Sequence, residues 1–208
     1  IGCYTLGTLP PLNSLHACVC MGASIGLMEG MLKVLPEEQK NKLVAVIGDS
    51  TFVHSGITGL VNTMYNLDQG VIMILDNRTT AMTGHQDHPG SGKRLSGEPS
   101  PPLDFIALAK SCGVKHAVKI NAWDYDTVSK TIKEALAEKS LSVIVAEKEC
   151  ILLDKKQYQD RYQVDENACT LCGACLKIGC PAIIKEENGK LSKIYIDENL
   201  CVGCALCS

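Results

Sequence analysis

Seven of the chain's twelve cysteines lie between Cys169 and Cys207, at the spacing of metal ligands. Cys169, Cys172 and Cys175 recur at two-residue gaps, Cys180 follows just ahead of Pro181, and Cys201, Cys204 and Cys207 repeat the triplet. Thiolates at C-x2-C-x2-C spacing can wrap an iron–sulfur cube, whereas structural zinc favours pairs of C-x2-C. The triplets therefore point to [4Fe–4S] clusters and to one-electron transfer. A secreted disulfide scaffold would be shorter and spread its cysteines more evenly. The clustering implies a reducing compartment, the cytoplasm. Cys3, Cys18, Cys20, Cys112 and Cys150 are scattered and read as buried small apolar side chains.

A second constellation carries oxygen chemistry. Gly48, Asp49 and Ser50 close an apolar run, and Asn77 closes the next one, 28 residues beyond Asp49. In an open parallel sheet ligands bind beyond the carboxyl ends of the strands. A carboxylate and an amide there suit a hard cation such as Mg²⁺, and a following helix N-terminus suits a diphosphate. The alternative is that Asp49 merely caps that helix; the spacing alone leaves both open. His54 and His85 are candidate catalytic groups or, equally, hydrogen-bonded loop histidines.

These residues need elements to hold them. Apolar runs predict strands over 43–49, 71–77, 116–121 and 141–148. Helical patterns lie over 17–35, 55–66, 103–114 and 126–139. Alternation of the two predicts an α/β fold with a parallel sheet. The stretch 78–102 is long and rich in Gly, Pro and Ser, the mark of a functional or disordered loop. Residues 154–163 are polar and read as a linker, exposed to proteases, between a domain at 1–153 and a small one at 164–208. In the latter, "DENACTLCGAC" from Asp165 returns as "DENLCVGCALC" from Asp197, an offset of 32 residues. The segment between them reads as a hairpin about Asn188-Gly189.

A duplicated triplet around a hairpin resembles a two-cluster bacterial-type ferredoxin, an α+β domain. There the fourth cysteine of each run serves the other cube. That resemblance implies one cluster on Cys180, Cys201, Cys204 and Cys207. It gives Cys169, Cys172 and Cys175 to the other, with a fourth ligand expected past Ser208. "IGDSTFVHSGITGLVNTMYN" followed by "ILDNRTTAMTGHQ" resembles the diphosphate-binding motif of thiamine-diphosphate enzymes, with Ser50 in place of the third glycine of Gly-Asp-Gly. Together with "IGCYTLGTLPPL" ahead and the cysteine repeat behind, the chain is similar to the C-terminal part of the α subunit in the indolepyruvate:ferredoxin oxidoreductase family. The resemblance implies Mg²⁺ on Asp49, Asn77 and the carbonyl of Thr79. It implies thiamine diphosphate against Gly22, Ala23, Ser24, Gly48 and Ser50, with Thr83, Gly84, His85 and Gln86 near the thiazolium; the small residues at 22–24 also read as close helix packing. It further implies oxidative decarboxylation of aryl 2-oxo acids, acyl transfer to coenzyme A, electrons to ferredoxin, a β subunit, and a glutamate supplied from upstream. The rival readings are a pyruvate-type oxidoreductase, a non-oxidative decarboxylase, which would not need the cysteines, and an electron-transfer protein on a non-catalytic scaffold.

The chain has 208 residues, 46% of them hydrophobic, and a formal net charge of −3. That suffices for one full core with a small appended module. No Lys/Arg run argues for nucleic acid, and no apolar stretch nears the ~20 residues of a membrane span. A start at Ile1, without Met and inside an apolar segment, reads as a cut within a longer protein.

Overall fold

The computed structural model describes residues 1–66, 69–153, 161–188 and 191–207. Most of the expected linker, 154–160, and Gly189 of the expected hairpin turn lie outside them. The chain forms two units. One comprises Ile1–Tyr4 and Cys18–Cys150, the other Thr5–Ala17 with the segment from Ile151 onward.

The larger unit is a parallel sheet between helices. Strands β1 (Val44–Gly48), β2 (Val71–Asp76), β3 (His116–Asn121) and β4 (Ser142–Glu147) lie in the order β1-β2-β4-β3. Register is set by pairs such as Ile47 with Ile74 and Ile74 with Val145. The alternation of a strand sends its side chains to two different cores. Ala45, Ile47, Ile72, Ile74, Val143 and Val145 face one core; Val71, Met73 and Ile144 face the other. Burial on both faces explains why these strands read as unbroken apolar runs. Each large side chain so buried contributes roughly 1.5–3 kcal/mol.

Four helices cover the faces. Helix α1 (Ala23–Val34) buries Ile25, Met28 and Leu32, one stripe at helical spacing. It starts later than its sequence pattern because Gly22 has φ 85°, and a Cβ there would lie 2.4 Å from the Cβ of Ser55. Only glycine tolerates both conditions. Helix α2 begins directly off β1: an α-turn over Asp49–Thr51, a π-turn over Phe52–Gly56 and α-helix over Ile57–Tyr65. The π-turn spoils the helical period of "DSTFVHS", so the sequence pattern emerges only near Ser55. Helix α3 (Phe105–Ser111) is capped by Asp104, whose Oδ1 accepts from the amides of Ile106 and Ala107 at 2.9 and 3.0 Å. Helix α4 (Tyr125–Ala137) is capped by Asp124 through the Thr127 amide. Leu32, Phe52, Leu60 and Phe105 bring α1, α2 and α3 to one core, and Ala135 and Leu136 bring α4 to the other.

The stretch 78–102 is folded on itself. A 3-10 turn over Ala81–Thr83 and isolated bridges Thr80–Gln86 and Lys93–Pro99 give its backbone partners. The burial expected of the scattered cysteines fails for Cys3, Cys18 and Cys20, which are exposed; Cys112 and Cys150 are half-buried. The three exposed cysteines precede α1, outside the strands and helices that form the apolar layers.

In the smaller unit β5 (Ile183–Asn188) and β6 (Leu191–Ile196) pair antiparallel, with Lys185 opposite Ile194. A 3-10 turn, Ala174–Ile178, sits between Gly173 and Gly179, both at positive φ. The two halves of the sequence repeat adopt the same local backbone. Asp165 Oδ1 accepts from the Asn167 amide at 2.9 Å, and Asp197 Oδ1 from the Asn199 amide at 2.8 Å. The amides of Cys169 and Cys201 bond the carbonyls of Asp165 and Asp197 at 2.9 Å. Leu171 and Gly203 share one left-handed position of the repeat, at φ 58° and 73°. Gly173 and Ala205 share the other, at 73° and 62°. Among the described residues no helix is long and apolar enough to cross a membrane.

Candidate cofactor and metal sites

The carboxyl ends of the four parallel strands converge on a cavity of about 300 Å³. Gly48, Asp49, Ser50 and Thr51 line it from the β1–α2 junction, and Asp76, Asn77, Thr79 and Thr83 from the end of β2. Ala122, Trp123 and Lys148 line it beyond β3 and β4. Lys148 stands with its Nζ 4.8 Å from the centre of the Trp123 ring.

Asp49 is the first helical residue of α2, and the N-cap position before it is Gly48, which has no side chain to cap with. Its Oδ1 accepts from its neighbour, the Ser50 amide, at 2.7 Å. Its Oδ2 is buried without a hydrogen bond. The nearest cation-forming group, His88 Nε2, is 3.2 Å away but out of line for a hydrogen bond, and that nitrogen too is without a partner. A buried carboxylate oxygen with a free lone pair is costly unless something binds it. It is the donor a hard cation requires.

Asp76 lies beside Asp49. Burial pushes its carboxyl up to about 6; Arg78 opposes this and the Asp49 carboxylate adds to it. Arg78 is held at φ 64°, with its amide bonding Asp76 Oδ1 at 3.2 Å and its guanidinium on Glu147 at 2.8 Å. Asn77 is fixed by its backbone, whose carbonyl accepts from the Cys150 amide at 3.0 Å, and by its Oδ1, which accepts from the Thr79 amide at 3.2 Å. Thr79 is buried. The fold thus brings Gly48, Asp49, Ser50, Asn77, Thr79 and Thr83 to one cavity.

Other expected residues lie elsewhere. Gly22, Ala23 and Ser24 form the start of α1 and do not line that cavity; Gly22 serves close packing on Ser55. His54 is exposed in the π-turn, with Nδ1 2.6 Å from Ser55 Oγ. Gly84, His85 and Gln86 line a separate cavity of about 880 Å³ under the 78–102 loop, together with His88, Lys93 and Leu103. His85 Nδ1 is buried without a partner. Two residues of the site carry no motif signal in the sequence. His88 lies 39 residues from Asp49, and only the fold brings them together. Asp76 was legible only as the neighbour of Asn77.

In the smaller unit the Cys207 thiol is pushed up by burial and by Cys180, Cys204 and Cys201 nearby. Cys180, close in sequence to the first triplet, is thus within electrostatic reach of Cys207 of the second. The Cys172 thiol is held down by the Ala174 amide and by Thr170. Among the described residues no three Cys, His, Asp or Glu side chains are drawn in to the spacing of a bound metal ion. The donor chemistry of the two thiol groups, with matched backbone around each, nonetheless fits iron–sulfur ligation.

The family model "Thiamine pyrophosphate enzyme, C-terminal TPP binding domain" matches residues 1–146. The chain belongs to that family. It is 40% identical to the indolepyruvate oxidoreductase subunit IorA of Archaeoglobus fulgidus and 38% identical to that of Methanothermobacter marburgensis. All of this chain is matched in each, against 33% and 32% of the relative. The chain therefore spans about a third of the length of the curated relatives it matches. In fold it is similar to 2-oxoglutarate:ferredoxin oxidoreductase from Magnetococcus marinus, whose structure has 2-oxoglutarate, coenzyme A and succinyl-CoA bound. The TM-score is 0.53 at 14% identity, covering 62% of this chain and 46% of that one. The parallel α/β architecture expected from the sequence is thus borne out, and so is the resemblance to the indolepyruvate oxidoreductase family of thiamine-diphosphate enzymes.

Proposed function

We propose that this chain supplies the diphosphate side of a thiamine-diphosphate site and an iron–sulfur relay to an enzyme that oxidatively decarboxylates aryl 2-oxo acids. Indolepyruvate is the type substrate, coenzyme A the acyl acceptor and ferredoxin the electron acceptor. One observation carries the reading. Asp49, which lines the cavity at the strand ends, has a buried carboxylate oxygen without a hydrogen bond, and it lies on the same chain as the duplicated cysteine loops. The likeness to IorA subunits favours the aryl substrate class over pyruvate.

Asp49, Asn77 and the carbonyl of Thr79 would hold Mg²⁺, and the N-terminal end of α2, at the strand ends, would favour the diphosphate's negative charge. The cofactor, when bound, supplies the electron sink that decarboxylation requires. The chain's own part is to bind and orient the cofactor and to exclude water from the strand ends. Cys180, Cys201, Cys204 and Cys207 hold one [4Fe–4S] cluster, and Cys169, Cys172 and Cys175 serve the other. The electrostatic influence of Cys180 on the Cys207 thiol supports this crossed assignment. The smaller unit is then a two-cluster ferredoxin domain. A β subunit and a glutamate outside this sequence complete the enzyme.

Asp49→Ala in the full-length protein tests the reading. It should abolish thiamine-diphosphate binding, measured calorimetrically, and leave the iron–sulfur absorbance intact. Unchanged cofactor affinity would remove Asp49 from the site. Turnover of indolepyruvate against pyruvate, with a viologen as acceptor, decides the substrate class.

A further inference from the structure

The Asp49 carboxylate has an amide on one oxygen and a histidine facing the other, and that histidine has no role in the reading so far. We propose that His88 is a positioning residue that aims Asp49 Oδ2 at the divalent cation. This rests on the proposed Mg²⁺–diphosphate site.

The imidazole is clamped. Its side chain is 4% exposed. Nδ1 accepts from the Gly90 amide at 3.1 Å. A Cβ on Gly90 would meet His88 Cε1 and Phe105 Cζ, each at 2.8 Å, so the backbone of Gly90 is the floor on which the ring lies. Arg78 Nη1 donates to the Gly90 carbonyl at 3.3 Å and holds that floor from behind. The backbone of His88 is tied as well: its carbonyl accepts from the Ser91 amide at 2.8 Å.

The clamp fixes the tautomer. A nitrogen that accepts an amide proton carries none of its own, so the ring proton is on Nε2. Nε2 is the atom 3.2 Å from Asp49 Oδ2. Both are buried and make no other hydrogen bond, so each is the other's available partner. Ser50 would then hold Oδ1 and His88 would hold Oδ2, each using one lone pair and leaving the rest for a cation. A neutral N–H suits this task. It orients the carboxylate without placing a second positive charge beside the metal, as Lys or Arg would. Partners of this kind typically change metal affinity 10- to 100-fold when removed.

The test uses Mn²⁺ in place of Mg²⁺. Free Mn²⁺ is titrated by room-temperature electron paramagnetic resonance against the full-length protein with thiamine diphosphate present. His88→Gln reaches Asp49 with an amide N–H; His88→Asn is polar but too short. His88→Asn should weaken Mn²⁺ by ~10- to 100-fold, and His88→Gln should stay within about threefold of the parent. Gly90→Ala keeps the imidazole but displaces it, and should weaken Mn²⁺ as His88→Asn does. If His88→Asn fails to fold, Gly90→Ala carries the same expectation. Parent-like affinity in His88→Asn, or equal loss in Asn and Gln, overturns the positioning role. Absence of cofactor-dependent Mn²⁺ binding in the parent overturns instead the site on which it rests.

Discussion

The sheet unit and the cysteine unit hold themselves together by different means. In the first, apolar side chains on both faces of β2 and β4 are almost wholly removed from water, and helices close over each face. Its cavity lies at the carboxyl ends of that packed sheet. In the second, among the described residues, the buried apolar side chains are Ala182, Ile183 and Ile194. So small a core does not offset the entropy of ordering a chain. Its local order comes from Asx turns, left-handed positions and one hairpin, all arranged around thiols. On the proposed iron–sulfur ligation, the contrast separates a site made by a fold from a fold that needs its site.

Iron removal should widen this contrast most. Chelation under reducing conditions should abolish amide-exchange protection across β5 and β6 while β2 and β4 keep theirs, as in domains whose metal energy is their folding energy. A protected hairpin in the iron-free protein would break the comparison. Next in size is Cys180→Ala, which should damage the cluster of the distant triplet at Cys201, Cys204 and Cys207. Iron counting with electron paramagnetic resonance reads this out. Damage confined to the cluster of Cys169, Cys172 and Cys175 would reverse the crossed assignment.

Smaller effects sharpen the comparison within each unit. The Asp76 carboxyl is raised to about 6 in the fold, from an unfolded value near 3.9. Its contribution to stability is therefore complete below the unfolded value and lost as pH rises through about 6. Asp76→Asn stays neutral throughout. Without metal, it should exceed the parent by on the order of 2 kcal/mol at pH 8 and lose that advantage towards pH 4. Denaturant melts at the two pH values check it; a pH-independent difference would contradict the raised carboxyl. Least of all, Ala205→Gly should stabilise the cysteine unit by up to about 1 kcal/mol, because the matching position of the other repeat is Gly173 and Ala205 sits at φ 62°. A fall in cluster lifetime would show that Ala205 earns its place by packing.

What the sequence disclosed follows the same division. The strands were legible because burial on both faces leaves a plain apolar run, as at Val71–Asp76. The repeat was legible because Asp165 and Asp197 build the same turn by the same local bonds. The cation-binding candidates Asp49 and Asn77 stood out because each ends such a run. His88 did not, since its contact with Asp49 is made by the fold across the 78–102 loop rather than by spacing. The start of α2 was hidden by the π-turn, and that of α1 was misplaced because Gly22 interrupts an otherwise helical composition. The exposure of Cys3, Cys18 and Cys20 could not be read from residue type, because a cysteine is apolar enough for either place.

The π-turn at Phe52–Gly56 also bears on how this helix can change over evolutionary time. One added residue in a turn sets back everything after it by about 100°, the angle a residue subtends in an α-helix. Ahead of it, the backbone is committed to presenting Asp49 at the strand ends. Behind it, Gly59 lies so close to Ile25 that a Cβ would meet that side chain at 3.1 Å, and Leu60 and Thr63 are fully buried. The turn acts as a phase adjuster between two fixed obligations. Losing one residue from it would leave every residue of both segments unchanged in identity and still misdirect one of them. Along this helix, then, substitutions can accumulate while its length stays fixed.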